Sequence, residues 1–198
     1  MEKTTLRRIR LVLWGLVVVL GIGASLLYFL APPQRPVGLF GGTFALQTTD
    51  GAPFTEADLM GMPSLIFFGY TFCPDVCPTT LAESTGWREQ LGLSPDDLRI
   101  IFVTVDPERD TAESLGTYLT AFGSPVIGLR GDAQQTEDAK AAFGVFSEKV
   151  EDAASSDYLV NHTANVFLIG ADGKFEGTIS YGEDRETALE KIRKLVER

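Results

Sequence analysis

The chain has 198 residues, enough for one ordinary domain and too few for two comfortable ones. It carries 17 Lys and Arg against 27 Asp and Glu, a net charge of −10. Setting aside Glu2, Lys3, Arg7, Arg8 and Arg10 leaves 13 basic against 26 acidic residues, a net of −13, and a domain that acidic repels phosphate backbones, which argues against nucleic acid as a partner.

Residues 1–10 read as a basic tail. Residues 11–31 carry no charge, and a helix of that length spans roughly 30 Å of hydrocarbon. Trp14 and Tyr28 lie near its ends, where amphipathic rings favour the interface, and the basic residues before it place the tail in the cytoplasm. A cleaved signal peptide has the same charged start, and Gly21, Gly23, Ala24 and Ser25 offer a weak cleavage site, yet the apolar run continues through 26–30. The expectation is a single-pass transmembrane anchor in the inner, cytoplasmic membrane, with the rest of the chain on the periplasmic or other extracytoplasmic side. Either reading exports the domain. Residues 32–40 form a Pro-rich linker, stiffened by Pro32, Pro33 and Pro36.

The exported domain, 41–198, changes period repeatedly. Residues 43–47 alternate like a short strand, Asp50-Gly51 signals a hairpin turn, and 55–58 resembles a short helix start. The run 64–69, Ser-Leu-Ile-Phe-Phe-Gly, suits a strand buried on both faces. A helix is expected over 79–91, a second buried strand over 99–105, a helix over 111–122, a short strand near 126–129 and a helix over 132–143. The polar stretch 151–157 reads as a surface loop. Strands at 164–169 and 174–180 flank a turn at Ala171-Asp172-Gly173, and 183–196 is a final helix. The order implies an α/β domain: a thioredoxin-like mixed sheet flanked by helices, preceded by one N-terminal transmembrane helix.

The chemistry concentrates in Cys73-Pro74-Asp75-Val76-Cys77-Pro78, between a buried strand and a helix. Pro78 suits a first helical position, which puts Cys77 at a helix N-terminus, where the positive helix end stabilises a thiolate. If the intervening residues are turn-like, the two Cα atoms lie about 6 Å apart, within disulfide range. The motif alone admits three readings: a metal site, a redox pair, or a structural pair. His162 is the only histidine in the chain. A lone histidine is ordinarily packed or exposed without chemical duty, but thioredoxin-like topology can bring its loop beside the first βα turn. Two thiolates and one imidazole form a soft three-ligand set that suits copper, as Cu(I) or Cu(II), whereas structural zinc wants a fourth ligand. Met60 and Met62 are candidate thioether donors that read instead as packing residues. Asp106 reads as a helix cap, and Asp75 as a loop-holding residue.

Three segments together carry a resemblance: 68–81 around the two cysteines, 103–111 (Val-Thr-Val-Asp-Pro-Glu-Arg-Asp-Thr), and 158–164 around the histidine. They closely resemble the Sco/SenC family over about residues 38–197. The resemblance implies that Cys73, Cys77 and His162 bind copper on a thioredoxin-like fold tethered by an N-terminal helix. It also implies a metallochaperone acting in assembly of the dinuclear copper A centre of cytochrome c oxidase. The copper A-bearing subunit is then the partner, with other copper chaperones as possible donors. The alternative is a membrane-anchored thiol-disulfide oxidoreductase that reduces the copper A cysteines with Cys73 and Cys77. A third reading, peroxide scavenging or copper sensing, stays open because a low-pKa thiolate is oxidised as well as metallated. Asn161 stands where the family often has Asp, so a carboxylate that orients the imidazole is expected to be missing.

Overall fold

The computed structural model describes residues 3–30, 41–151 and 157–197; the linker 32–40 and most of the 151–157 stretch lie outside them. The chain divides into two compact units, Met1–Gln34 and Arg35–Arg198. In the first, a helix α1 runs Lys3–Leu30, starting before the uncharged run. Its apolar residues Leu11, Val12, Leu13, Leu16, Val17, Val18, Val19, Leu20 and Ile22 are exposed. Among the described residues, no helix is long and apolar enough to cross a membrane.

The second unit is built on a sheet of seven strands among the described residues. These are β1 Ala45–Thr48, β2 Pro53–Thr55, β3 Ser64–Gly69, β4 Arg99–Thr104 and β5 Ile127–Arg130, with β8 Asn165–Ile169 and β9 Phe175–Ser180. Their spatial order is β2-β1-β5-β4-β3-β8-β9. β3, β4 and β5 are parallel, and the pairs at both edges are antiparallel. All six residues of β3 are buried, and its neighbour β4 is buried from Ile100 to Thr104. Continuous apolar runs suit strands covered on both faces, which is why both appear in the sequence as unbroken hydrophobic stretches.

The parallel strands are linked by α2 Val76–Gln90 and α3 Ala112–Thr120; α4 Ala133–Phe143 packs on β1, and α5 Arg185–Val196 on β8 and β9. The caps are explicit in sequence. Asp132 accepts from the Gln135 N–H, Gln135 returns a bond to the Asp132 N–H, and Gly144 closes α4 at φ +67°. Thr111 and Asp184 cap α3 and α5 by accepting from the Ser114 and Thr187 N–H groups. Between β1 and β2, Gly51 turns the chain at φ +87°, as the Asp50-Gly51 pair predicts.

Two strands were not expected. β6 Ser147–Glu151 and β7 Tyr158–His162 form an antiparallel hairpin that pairs with no other strand among the described residues. The stretch 151–157 read as a loop falls between their ends, and most of it lies outside the described residues. Its strands escape notice because Glu148, Lys149, Val150 and Glu151 are all exposed, so no apolar alternation marks them.

Candidate metal centre

The parallel centre of the sheet delivers its strand ends, β3 and β4, to one edge, and the loop after β3 carries the cysteines. The Cys73 N–H donates to the Tyr70 carbonyl (3.3 Å), turning the chain back toward α2. α2 begins earlier than the expected 79, at Val76, with Asp75 at its cap position. Cys77 is therefore the second helical residue and Pro78 the third rather than the first. Pro78 fits because the opening N–H groups of a helix have no intrahelical partner, so its missing donor costs nothing. The free Cys77 N–H instead points at Cys73 Sγ, 3.4 Å away. Asp75 holds the turn, its carbonyl accepting from the Thr79 N–H (3.1 Å).

Cys77 is fully buried and Cys73 half-buried. Gly69, the last residue of β3, makes this possible: a Cβ there would stand 2.8 Å from Cys77 Sγ and 2.8 Å from the Phe102 ring. The Cys73 thiol is held down at about 4, chiefly by the hydrogen bond from the Cys77 side chain, against the penalty of burial, and further by His162 and the N–H groups of Cys77 and Asp75. Cys77 is pushed the opposite way, by the proton it keeps toward Cys73, by burial, and by the Cys73 charge. The two titrate as a pair, one thiolate and one thiol.

His162 is the last residue of β7, so the hairpin, not the strand expected to follow it, brings it in. Its ring stands edge-on to Phe67 and Tyr70, with centroids 5.8 and 5.9 Å away. Nδ1 lies 3.1 Å from the Thr163 carbonyl. A carbonyl only accepts, so Nδ1 carries a proton, and Nε2 faces Cys77 Sγ at 3.4 Å, presenting a lone pair when the ring is neutral. The orienting carboxylate that Asn161 lacks is thus replaced by a main-chain oxygen. The donor atoms of Cys73, Cys77 and His162 all lie within 4.8 Å of one another. Cys73 and His162 border a cavity of about 220 Å³, walled also by Tyr70, Pro74, Val76 and Leu159, with Cys77 buried behind them.

The two methionines singled out in sequence sit apart from this edge. Met62 precedes β3, and the six residues of that strand, at about 3.3 Å each, separate it by about 20 Å from the cysteine loop; Met60 is half exposed at the same far end. Asp106 caps no helix, correcting the reading above: it is fully buried, and its carboxylate accepts from the Tyr158 hydroxyl (2.8 Å) and pairs with Arg109 Nε. Arg109 itself was missed. Its contacts reach residues nearly fifty positions away, and no local pattern announces that.

The SCO2-like protein RC0895 of Rickettsia conorii is 37% identical over 170 residues, covering 80% of this chain and 83% of that one. The mitochondrial SCO1 homologue of Mus musculus is 36% identical over 146 residues, 72% of this chain but 51% of its own, so the chain spans about half that relative's length. The copper-bound structure of Bradyrhizobium japonicum ScoI is 36% identical and superposes with a TM-score of 0.71 over 79% of this chain and 99% of that one. Residues 32–197 match the SCO1/SenC family, nearly everything beyond α1, and the chain belongs to that family.

Proposed function

We propose that the chain is a copper metallochaperone that holds one copper through Cys73, Cys77 and His162 and passes it to the dinuclear copper A centre during cytochrome c oxidase assembly. The observation that carries this is the convergence of two sulfurs and one imidazole nitrogen, from segments 85 residues apart, within 4.8 Å. The set is soft and small, which fits Cu(I), an ion content with few ligands; zinc in a structural site takes four. Cys73 as thiolate is already in ligating form, and Nε2 of the neutral ring offers its lone pair toward the sulfurs. Copper is cargo here, so a half-open site where a loop, a helix start and a strand end meet serves the function: an incoming thiolate can replace one donor at a time. The copper-bound relative of similar fold supports the assignment.

The acceptor is the copper A-bearing oxidase subunit, and the donor another copper chaperone. The exposed apolar residues of α1 support anchoring in the inner membrane through 11–31, with the domain on the extracytoplasmic side. Titration of the reduced chain with Cu(I) tests the site: one equivalent should bind, His162→Ala should weaken it, and apo copper A domain should withdraw it. Binding indifferent to His162→Ala removes the histidine from the site.

One observation favours a second reading, a thiol-disulfide oxidoreductase acting on the copper A cysteines. Cys73 is the half-buried, ionised member of the pair and Cys77 the fully buried, protonated one, the division of labour of an attacking and a resolving thiol. Metal-free chain that reduces an oxidised copper A domain, and stops when Cys73 is replaced, would favour it.

A further inference from the structure

The hairpin that carries His162 has no strand partner in the main sheet among the described residues. Side chains dock it, and they gather on one residue. Arg109 Nε pairs with Asp106, and Nη1 donates to the Tyr158 carbonyl and to Asp157 Oδ1, each at 2.9 Å. The guanidinium carbon lies 3.6 Å from the centroid of the Tyr158 ring, 4.8 Å from that of Phe72 and 5.7 Å from that of Tyr70. Tyr158 opens β7, the strand that His162 closes. Phe72 immediately precedes Cys73. One planar cation is therefore packed between the segment that holds the imidazole and the segment that holds the sulfurs.

Neighbouring contacts reinforce the same join. The Tyr158 hydroxyl donates to Asp106, the Val160 N–H to the Tyr70 hydroxyl oxygen (3.2 Å), and Lys149 on β6 pairs with Glu108 (2.6 Å) while lying 4.8 Å over the Tyr158 ring. Arg109 is the best placed of these. Its side chain is 14% exposed, so water screens its contacts weakly, and a guanidinium alone combines a fork of donors with a face that stacks on rings.

We infer that Arg109 is a positioning residue for metal binding: it clamps the β6–β7 hairpin to the cysteine loop and thereby sets whether His162 reaches an ion held by Cys73 and Cys77. The inference rests on the copper reading above. A clamp of this kind acts through the imidazole. Its removal should cost affinity while His162 is present and nothing further once His162 is gone.

The test compares four forms of the full chain in detergent: wild type, His162→Ala, Arg109→Gln and the double variant. Cu(I) affinity is measured by competition with a chromophoric chelator, and the sulfur-to-Cu(II) absorption band by titration with Cu(II). Arg109→Gln is expected to weaken Cu(I) binding about tenfold, in the range typical of groups that orient a ligand. It should also move the absorption band toward that of His162→Ala, and add no loss in the double variant. Equal losses in both backgrounds would overturn the inference, because the effect would then run through the sulfurs or the fold. Arg109→Gln indistinguishable from wild type, with His162→Ala still weakened, would overturn it and leave the copper site standing. Wild type indifferent to His162→Ala would instead sink the site itself. Should Arg109→Gln fail to fold, Tyr158→Leu, which removes the stacked ring and keeps the Arg109–Asp106 pair, must show the same pattern.

Discussion

Cys73 accepts a hydrogen bond from the backbone of Cys77, N to Sγ 3.4 Å, while the Cys77 sulfur faces His162 Nε2 at the same distance. One sulfur is thus arranged as an anion and the other as a proton holder, although both belong to the same short motif.

Reactivity should follow that asymmetry. An ordinary thiol, with a pKa of about 8.5, is almost wholly protonated at pH 6. Cys73, lowered to about 4, is ionised there and loses its charge only as the pH falls toward that value. Reduced, metal-free chain treated with iodoacetamide at pH 6 should therefore be labelled at Cys73 and spared at Cys77, as read by peptide mapping. In Cys77→Ala the main cause of the depression is gone, so the onset of labelling should move upward in pH. Preferential labelling of Cys77 would contradict the arrangement.

Gly69→Ala should damage the fold and the site together. The added methyl group would stand 2.8 Å from both Cys77 Sγ and the fully buried Phe102 ring, and neither has open space to retreat into. Overpacking of this kind costs about 1–3 kcal/mol. Urea unfolding should show the loss, and Cu(I) competition should show weaker binding by the folded fraction.

Arg88 offers a contrast, a stability effect remote from the donors. It is 1% exposed, and its guanidinium donates to the Leu98 carbonyl, to Ser124 Oγ and to the Pro125 carbonyl. Arg88→Ala leaves the buried Leu98 carbonyl without its donor and opens a void beneath α2. A loss of about 3 kcal/mol is expected, measured by denaturant midpoint, with copper stoichiometry of the folded protein unchanged.

The apolar surface of α1 predicts membrane association. In density-gradient flotation with phosphatidylcholine vesicles the full chain should rise with the lipid and stay there through an alkaline carbonate wash. Recovery in the soluble fraction would contradict an embedded anchor.

Much of the fold is legible because its strands and caps obey local rules. β3 and β4 are covered on both faces and read as unbroken apolar runs; Asp132 and Gly144 bracket α4 with the chemistry of a start and a stop. The cysteines announced themselves by spacing and by their place between strand and helix. The hairpin did not, because its first strand, β6, is a run of exposed and mostly charged residues with no apolar face to print a period, and its lodging depends on contacts such as Arg109 to Tyr158 that join distant positions. Pro78 was misplaced by two helical positions for a related reason: a proline fits equally well at any of the opening residues whose N–H groups lack partners.

The Thr163 carbonyl that holds His162 Nδ1 belongs to the main chain. Where a carboxylate does this work, one codon change abolishes it and the imidazole is free to turn over or change tautomer. Here exchanging the side chain at 163 leaves the acceptor in place. The ring's presentation is thereby insulated from most single substitutions, and depends on the path of the peptide between β7 and β8.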